Sequence, residues 1–180
     1  MPEKLDFITP TVSKVLYVFH NDPMQKLHER EVVRRAGVSK GSANSILREL
    51  TQKGILEREK VGGMVFYRLN NRNPIAKQFK VLFNIYSLQK LVDEVRSYCR
   101  RIILFGSCAE GLDTKESDID LLILTQEKEE VIKKINVYQK ELDRRISPII
   151  LNANEFTKLK MEDKPLYERI EKGIILWDSE

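Results

Sequence analysis

Ile102–Leu124 reads IILFGSCAEGLDTKESDIDLLIL. Ile102–Phe105 is an apolar run of the length expected for a buried strand. Gly106 and Ser107 stand at its end, where a tight turn would open a helix. Ten residues separate Ser107 from Asp118, and Asp118-Ile119-Asp120 leads directly into Leu121, Leu122, Ile123 and Leu124. Side chains alternate across a pleat, so acids two apart on a strand point to the same face. The stretch therefore predicts strand, turn, helix start, loop and second strand, with its polar residues gathered at strand ends.

The chain downstream continues in alternation. KEEVIKKINVYQKEL, residues 128–142, carries Val131, Ile132, Ile135, Tyr138 and Leu142 at helical spacing. Ile146–Leu151 predicts a strand whose Pro148 suits an edge or a bulge. Asn154 is placed to cap a helix beginning at Glu155. Pro165–Lys172 predicts a further helix, closed by Gly173 before a last strand, Ile174–Trp177. The expectation is an α+β unit over residues 98–180, with a mixed sheet and helices.

LFGSCAEG followed by SDIDLLIL resembles the minimal nucleotidyltransferases of the DNA polymerase β superfamily, whose pattern is Gly-Ser, about ten residues and Asp-x-Asp. PLYERIEKGIILWD resembles the closing helix and strand of that family, so the likeness spans about residues 95–178. It implies nucleotide binding at Gly106 and Ser107, metal ligation by Asp118 and Asp120, and a catalytic set of Asp118, Asp120 and Ser107. Chemistry agrees with these roles. Gly106 lacks a Cβ, so backbone can approach a phosphate closely. Ser107 offers a hydroxyl and an amide at a helix N-terminus, where anions are favoured. The aspartates offer hard oxygens to Mg²⁺ (or Mn²⁺), which would bridge to the triphosphate of an NTP substrate. Active relatives usually carry a third acid on a later strand. Here that strand is Ile146–Leu151 and presents Ser147, with Asp143 and Glu155 flanking it. Cys108 is read as a packing residue, having no evident partner base.

The first half has a different character. Residues 1–98 hold 17 Lys+Arg against 10 Asp+Glu, a balance of +7, whereas residues 99–180 hold 14 against 17, or −3. A basic half joined to an acidic half predicts two modules, the basic one suited to a polyanion. Val12, Val15, Leu16 and Phe19 predict a helix ending near Asn21-Asp22-Pro23. His28–Ala36 predicts a second, stopped by Gly37, and Ser39 caps a third running to about Lys53 before Gly54. Ala43, Ile46, Leu47 and Leu50 form the inward stripe of that third helix. Ile55–Lys60 and Val65–Leu69 predict a hairpin around Val61-Gly62-Gly63-Met64.

HEREVVRRAGVSKGSANSILRELTQKGILEREKVGGMVFYRLN resembles the winged helix–turn–helix domains of prokaryotic transcription regulators, over roughly residues 10–72. The likeness implies double-stranded DNA as a partner. Ser42, Asn44, Ser45 and Arg48 would face base edges, and Lys40, Arg58, Lys60 and Arg68 would lie nearer phosphates. Pro74 opens a long helix to about Ser97, whose surplus apolar residues predict a spare face for a homodimer. The expected layout is a winged helix over 1–73, a connecting helix over 74–97 and a nucleotidyltransferase domain over 98–180.

Other classes are disfavoured. No apolar run approaches the roughly 20 residues of a membrane span, and MPEKLDFITP lacks the layout of a signal peptide. Cys99 and Cys108 have neither metal nor redox spacing, which suits a reduced, cytoplasmic protein. Two functions remain open. One is transfer of a nucleoside monophosphate to a protein or small-molecule hydroxyl. The other is a transcription regulator whose nucleotidyltransferase domain is a catalytically weak or inactive nucleotide sensor.

Overall fold

A computed structural model describes residues 7–20 and 22–179, which fall into two compact units, 1–80 and 81–180. In the first, α1 (Pro10–His20), α2 (Glu29–Ala36) and α3 (Lys40–Gln52) precede a hairpin of β2 (Leu56–Val61) and β3 (Met64–Leu69). Gly37, at φ +62, takes the left-handed conformation that ends α2. Ser39 Oγ accepts from the Ser42 amide at 3.1 Å and caps α3. Gly62 and Gly63, both at positive φ, form the two-residue turn that matches the twist of a hairpin. One element escapes sequence reading. Leu27–His28 forms a two-residue strand, β1, paired with β3 through Leu27↔Tyr67 and His28↔Phe66, so this sheet has the order β1-β3-β2. His28 also caps α2, its Nδ1 accepting from the Arg30 amide at 3.2 Å, so α2 starts one residue later than its sequence pattern implies.

Helix α4 (Pro74–Val95) starts with proline in its first turn, and Asn73 Oδ1 accepts from the amides of Ile75 and Ala76 at 2.8 and 3.2 Å. The helix proper stops at Val95, followed by a 3₁₀ turn at Arg96–Tyr98. No helix among the described residues is long and apolar enough to cross a membrane.

The second unit is built on a four-stranded mixed sheet in the order β6-β5-β4-β7: β4 (Cys99–Phe105), β5 (Ile119–Thr125), β6 (Ile146–Leu151) and β7 (Ile174–Asp178). β6 runs parallel to β5, and the other pairs are antiparallel. Alternation divides the strands between two cores. Ile102, Leu104, Ile119, Leu121 and Ile123 bury one face against Leu88, Leu91 and Val95 of α4 and Val131 and Ile135 of α6 (Lys128–Gln139). Ile103, Phe105, Leu122 and Leu124 bury the other, against Phe156 and Leu159 of α7 (Ala153–Glu162) and Leu166 and Ile170 of α8 (Lys164–Glu171). Pro148 sits on the edge strand, where a missing ladder donor is tolerated. The cap of α7 is Asn152 rather than Asn154. Asn152 Oδ1 accepts from the Glu155 amide and Glu155 answers to the Asn152 amide, a reciprocal box that begins the helix two residues earlier.

Candidate active site at one end of the mixed sheet

The C-terminal end of β4 and the N-terminal ends of β5 and β6 meet at one edge of the second unit. Asp120 pairs in register with Phe105 on one side and with Ser147 on the other. Asp118 stands just before β5 rather than inside it, and both acids are partly exposed. Gly106 occupies φ +68, ψ −154, a conformation open essentially to glycine alone. A Cβ placed there would lie 2.5 Å from Asp120 Oδ2, so the turn passes directly over the carboxylate. Gly106→Ala should combine backbone strain of about 1–3 kcal/mol with that clash. The thermal midpoint of the variant should fall by several degrees, and an unchanged midpoint would show that the turn accepts a side chain.

Ser107 begins α5 (Ser107–Glu110), a single turn closed by Gly111 at φ +67. So short a helix has little macrodipole. What it offers is local, namely the Ser107 hydroxyl and the amides of Ser107 and Cys108, since those of Ala109 and Glu110 donate to the Gly106 carbonyl at 3.1 and 3.2 Å. Cys108 is buried, and burial pushes its thiol up to about 11. It stays protonated and donates to the Asp118 carbonyl at 3.4 Å, consistent with a packing role rather than a nucleophile.

The electrostatics of Asp120 follow from its neighbours. Partial burial raises its pKa first of all, Arg169 opposes that rise, and the Asp118 carboxylate adds to it. The two acids are thus near enough to repel each other. A hard divalent ion satisfied by one or two carboxylates, with phosphate oxygens and waters completing its shell, suits this donor pair. The described residues contain no group of three His, Cys, Asp or Glu side chains able to hold a metal. Ser147 lies beside Asp120 on the same face, where a third acid would be sought. Glu155 is at the far end of β6, engaged by Lys128 at 2.5 Å and by the Asn152 amide.

Three residues that motif reading passes over hold this loop in place. Arg144 donates from Nε to the Ser117 carbonyl at 3.0 Å, from Nη1 to Asp113 Oδ2 at 2.9 Å and Asn84 Oδ1 at 3.2 Å, and from Nη2 to Cys108 Sγ at 2.8 Å. Asn84 donates in turn to the Cys108 carbonyl and Asp113 Oδ1. The Asp113 side chain is only 1% exposed and that of Arg144 16%. This network ties the segment after Gly106 to the segment before Asp118. One sequence signal existed for it, the polar Asn84 inside an otherwise apolar helical stripe.

In the first unit, Lys40, Ser42, Ser45 and Arg48 are exposed on α3, and Arg58 and Lys60 on β2. Three of the residues assigned to DNA have side-chain partners inside the unit, Ser42 Oγ lying 2.9 Å from Ser39 Oγ. Asn44 Nδ2 donates to Glu29 at 2.8 Å, and Arg68 pairs with Glu57 across the hairpin at 2.6 Å.

Residues 88–176 match the sequence profile of a family described as nucleotidyltransferase domain. A candidate protein adenylyltransferase of Methanocaldococcus jannaschii is 46% identical over 56 residues, covering 28% of this chain and 57% of that protein. The chain thus spans little more than half the length of that relative. Among solved structures, a candidate nucleotidyltransferase from Sulfolobus solfataricus superposes with a TM-score of 0.39 at 18% identity, covering 57% of this chain and 87% of the other. TrmBL2, an archaeal chromatin protein, gives a TM-score of 0.35 at 15% identity, covering 91% of this chain and 73% of its own. Residues 88–176 lie within the second unit, so the likeness to a nucleotidyltransferase domain belongs to that unit.

Proposed function

We propose that the chain binds an NTP with Mg²⁺ at Gly106, Ser107, Asp118 and Asp120, and transfers a nucleoside monophosphate to a hydroxyl of a protein or small molecule. The observation that carries this reading is the approach of the Gly106 turn to Asp120, whose Oδ2 lies 2.5 Å from where a Cβ would stand. That arrangement sets the turn that carries the Ser107 hydroxyl directly beside the Asp120 carboxylate. When bound, the ion would neutralise charge on the transferring phosphoryl group. Asp118 and Asp120 would hold it, the Ser107 hydroxyl and the Ser107 and Cys108 amides bind phosphate oxygens, and Gly106 keeps side-chain bulk out of the way. The acceptor oxygen forms a bond to the α-phosphorus, the bond to the leaving pyrophosphate breaks, and the hydroxyl proton is released. Calorimetric titration with ATP and GTP in Mg²⁺ buffer tests the binding half, and absence of heat with every NTP tried would refute it.

A second reading is favoured by one specific observation, Ser147 in register beside Asp120. A serine neither carries charge nor accepts a proton at neutral pH. On this reading the domain senses a nucleotide without turning it over, and binding without transfer is its signature.

For the first unit the proposal is a winged helix–turn–helix over residues 1–73 that binds double-stranded DNA, joined by a helix over 74–97 to the nucleotidyltransferase domain over 98–180. The three helices followed by a glycine-turned hairpin support it. Within it α3 is the reading helix, with Ser42, Ser45 and Arg48 outward. Among the described residues no ion pair engages Arg48, Arg58 or Lys60. Arg48→Ala should weaken binding to a selected duplex about tenfold, the loss expected for one good base contact. Unchanged affinity would remove α3 as the reader.

A further inference from the structure

Arg169 is absent from the motif, yet it is the cation that faces Asp120. It stands on α8 immediately before Ile170, a fully buried member of the core on that face of the sheet. Gly173 brings the end of α8 against β4, since a Cβ there would lie 2.6 Å from both Ile103 Cγ2 and the Leu104 carbonyl. Arg169 Nη2 reaches 4.0 Å from Asp120 Oδ2, too far for a hydrogen bond. The same nitrogen is 3.5 Å from the Cβ position over Gly106, and the guanidinium lies 5.9 Å from the Phe105 ring centroid. The helix that carries this side chain is anchored, while the side chain itself is 61% exposed.

We propose that Arg169 is the polyphosphate-binding residue of this site, moving from Asp120 to phosphate oxygens when the nucleotide arrives. The inference rests on the nucleotide reading above and adds a residue to it. Two carboxylates facing a polyphosphate repel it, and this guanidinium is the positive charge that opposes Asp120. A pair 4.0 Å apart whose arginine is mostly exposed is weak, so leaving Asp120 costs little. A guanidinium fork matches two phosphate oxygens, giving stronger charge-assisted bonds. The same movement releases Asp120 to ligate a divalent ion.

The test compares the full chain with Arg169→Ala and Arg169→Lys, titrated with ATP, AMP and adenosine, with GTP, GMP and guanosine in parallel. Arg169→Ala should weaken triphosphate binding by about tenfold or more, the scale of a lost charge-assisted hydrogen bond, with nucleoside binding unchanged. Arg169→Lys should recover part of the loss. Mn²⁺ alone, followed by electron paramagnetic resonance, should bind Arg169→Ala more tightly than wild type, because a competing cation has left Asp120. Equal triphosphate affinity in wild type and Arg169→Ala would overturn the inference and leave the nucleotide reading standing. An equal loss for nucleoside and triphosphate would also overturn it, by showing a general structural effect. Failure of the wild type to bind either triphosphate would refute the nucleotide reading, and this inference with it.

Discussion

Asp118→Asn and Asp120→Asn should each lower nucleotidyl transfer by about a thousandfold, the scale of several kcal/mol of charge stabilisation at the reacting phosphate. Asparagine keeps the shape and one oxygen, so folding should persist while the negative charge that draws a divalent ion is gone. The two variants should differ in stability. Partial burial disfavours the ionised form of Asp120, with the Asp118 charge adding to the penalty. A carboxylate whose folded pKa is raised costs stability above its unfolded pKa, and that cost fades as pH falls through the folded value. Asp120→Asn should therefore be as stable as wild type or slightly more so at neutral pH, and lose that advantage in acid. Urea unfolding at neutral and acid pH reads this directly, and marked destabilisation at neutral pH would show Asp120 to be a structural acid.

Arg144→Met should be the most destabilising single change in the second unit, by about 3–5 kcal/mol, the usual cost of breaking a buried ion pair from one side. The substitution removes a guanidinium from an Asp113 carboxylate that is 1% exposed, and with it the donors to Ser117, Asn84 and Cys108. Because the Ser117 carbonyl precedes Asp118, the loop should also lose its register, so nucleotide binding should fall with stability. Arg144→Lys keeps the charge without the planar fork and should be intermediate. Trp177 is the chain's one tryptophan and lies on β7, so its fluorescence during urea unfolding reports on this unit. A midpoint within error of wild type would refute the assignment.

What could be read in advance was local in sequence. Gly37, Ser39, Gly54 and the Gly62-Gly63 turn act within a few residues of themselves, and the helices and hairpin they bound follow from them. Gly106 to Asp120 was legible for the same reason, although Asp118 lies outside the strand it was expected to open. What escaped depends on pairing across long separations. β1 exists because Leu27 and His28 meet Tyr67 and Phe66, which no two-residue pattern announces. The Arg144 network joins Asn84, Cys108, Asp113 and Ser117 from three separate segments. Arg169 comes to Asp120 from α8, at a distance set by how closely Gly173 lets that helix approach β4. Asn44 and Arg68 are placed toward DNA by pattern alone, and a sequence does not reveal that they also pair with Glu29 and Glu57.

The proposed reaction moves a nucleoside monophosphate rather than a phosphate. The most direct measurement places the protein with Mg²⁺ and a panel of hydroxyl acceptors, protein and small molecule, and supplies NTP labelled at either the α- or the γ-phosphate. Label from the α-position should appear on an acceptor, label from the γ-position should leave as pyrophosphate, and both should cease in the double Asp118→Asn/Asp120→Asn variant. Label retained from the γ-position, or α-label that never leaves the nucleotide across the whole panel, would contradict it.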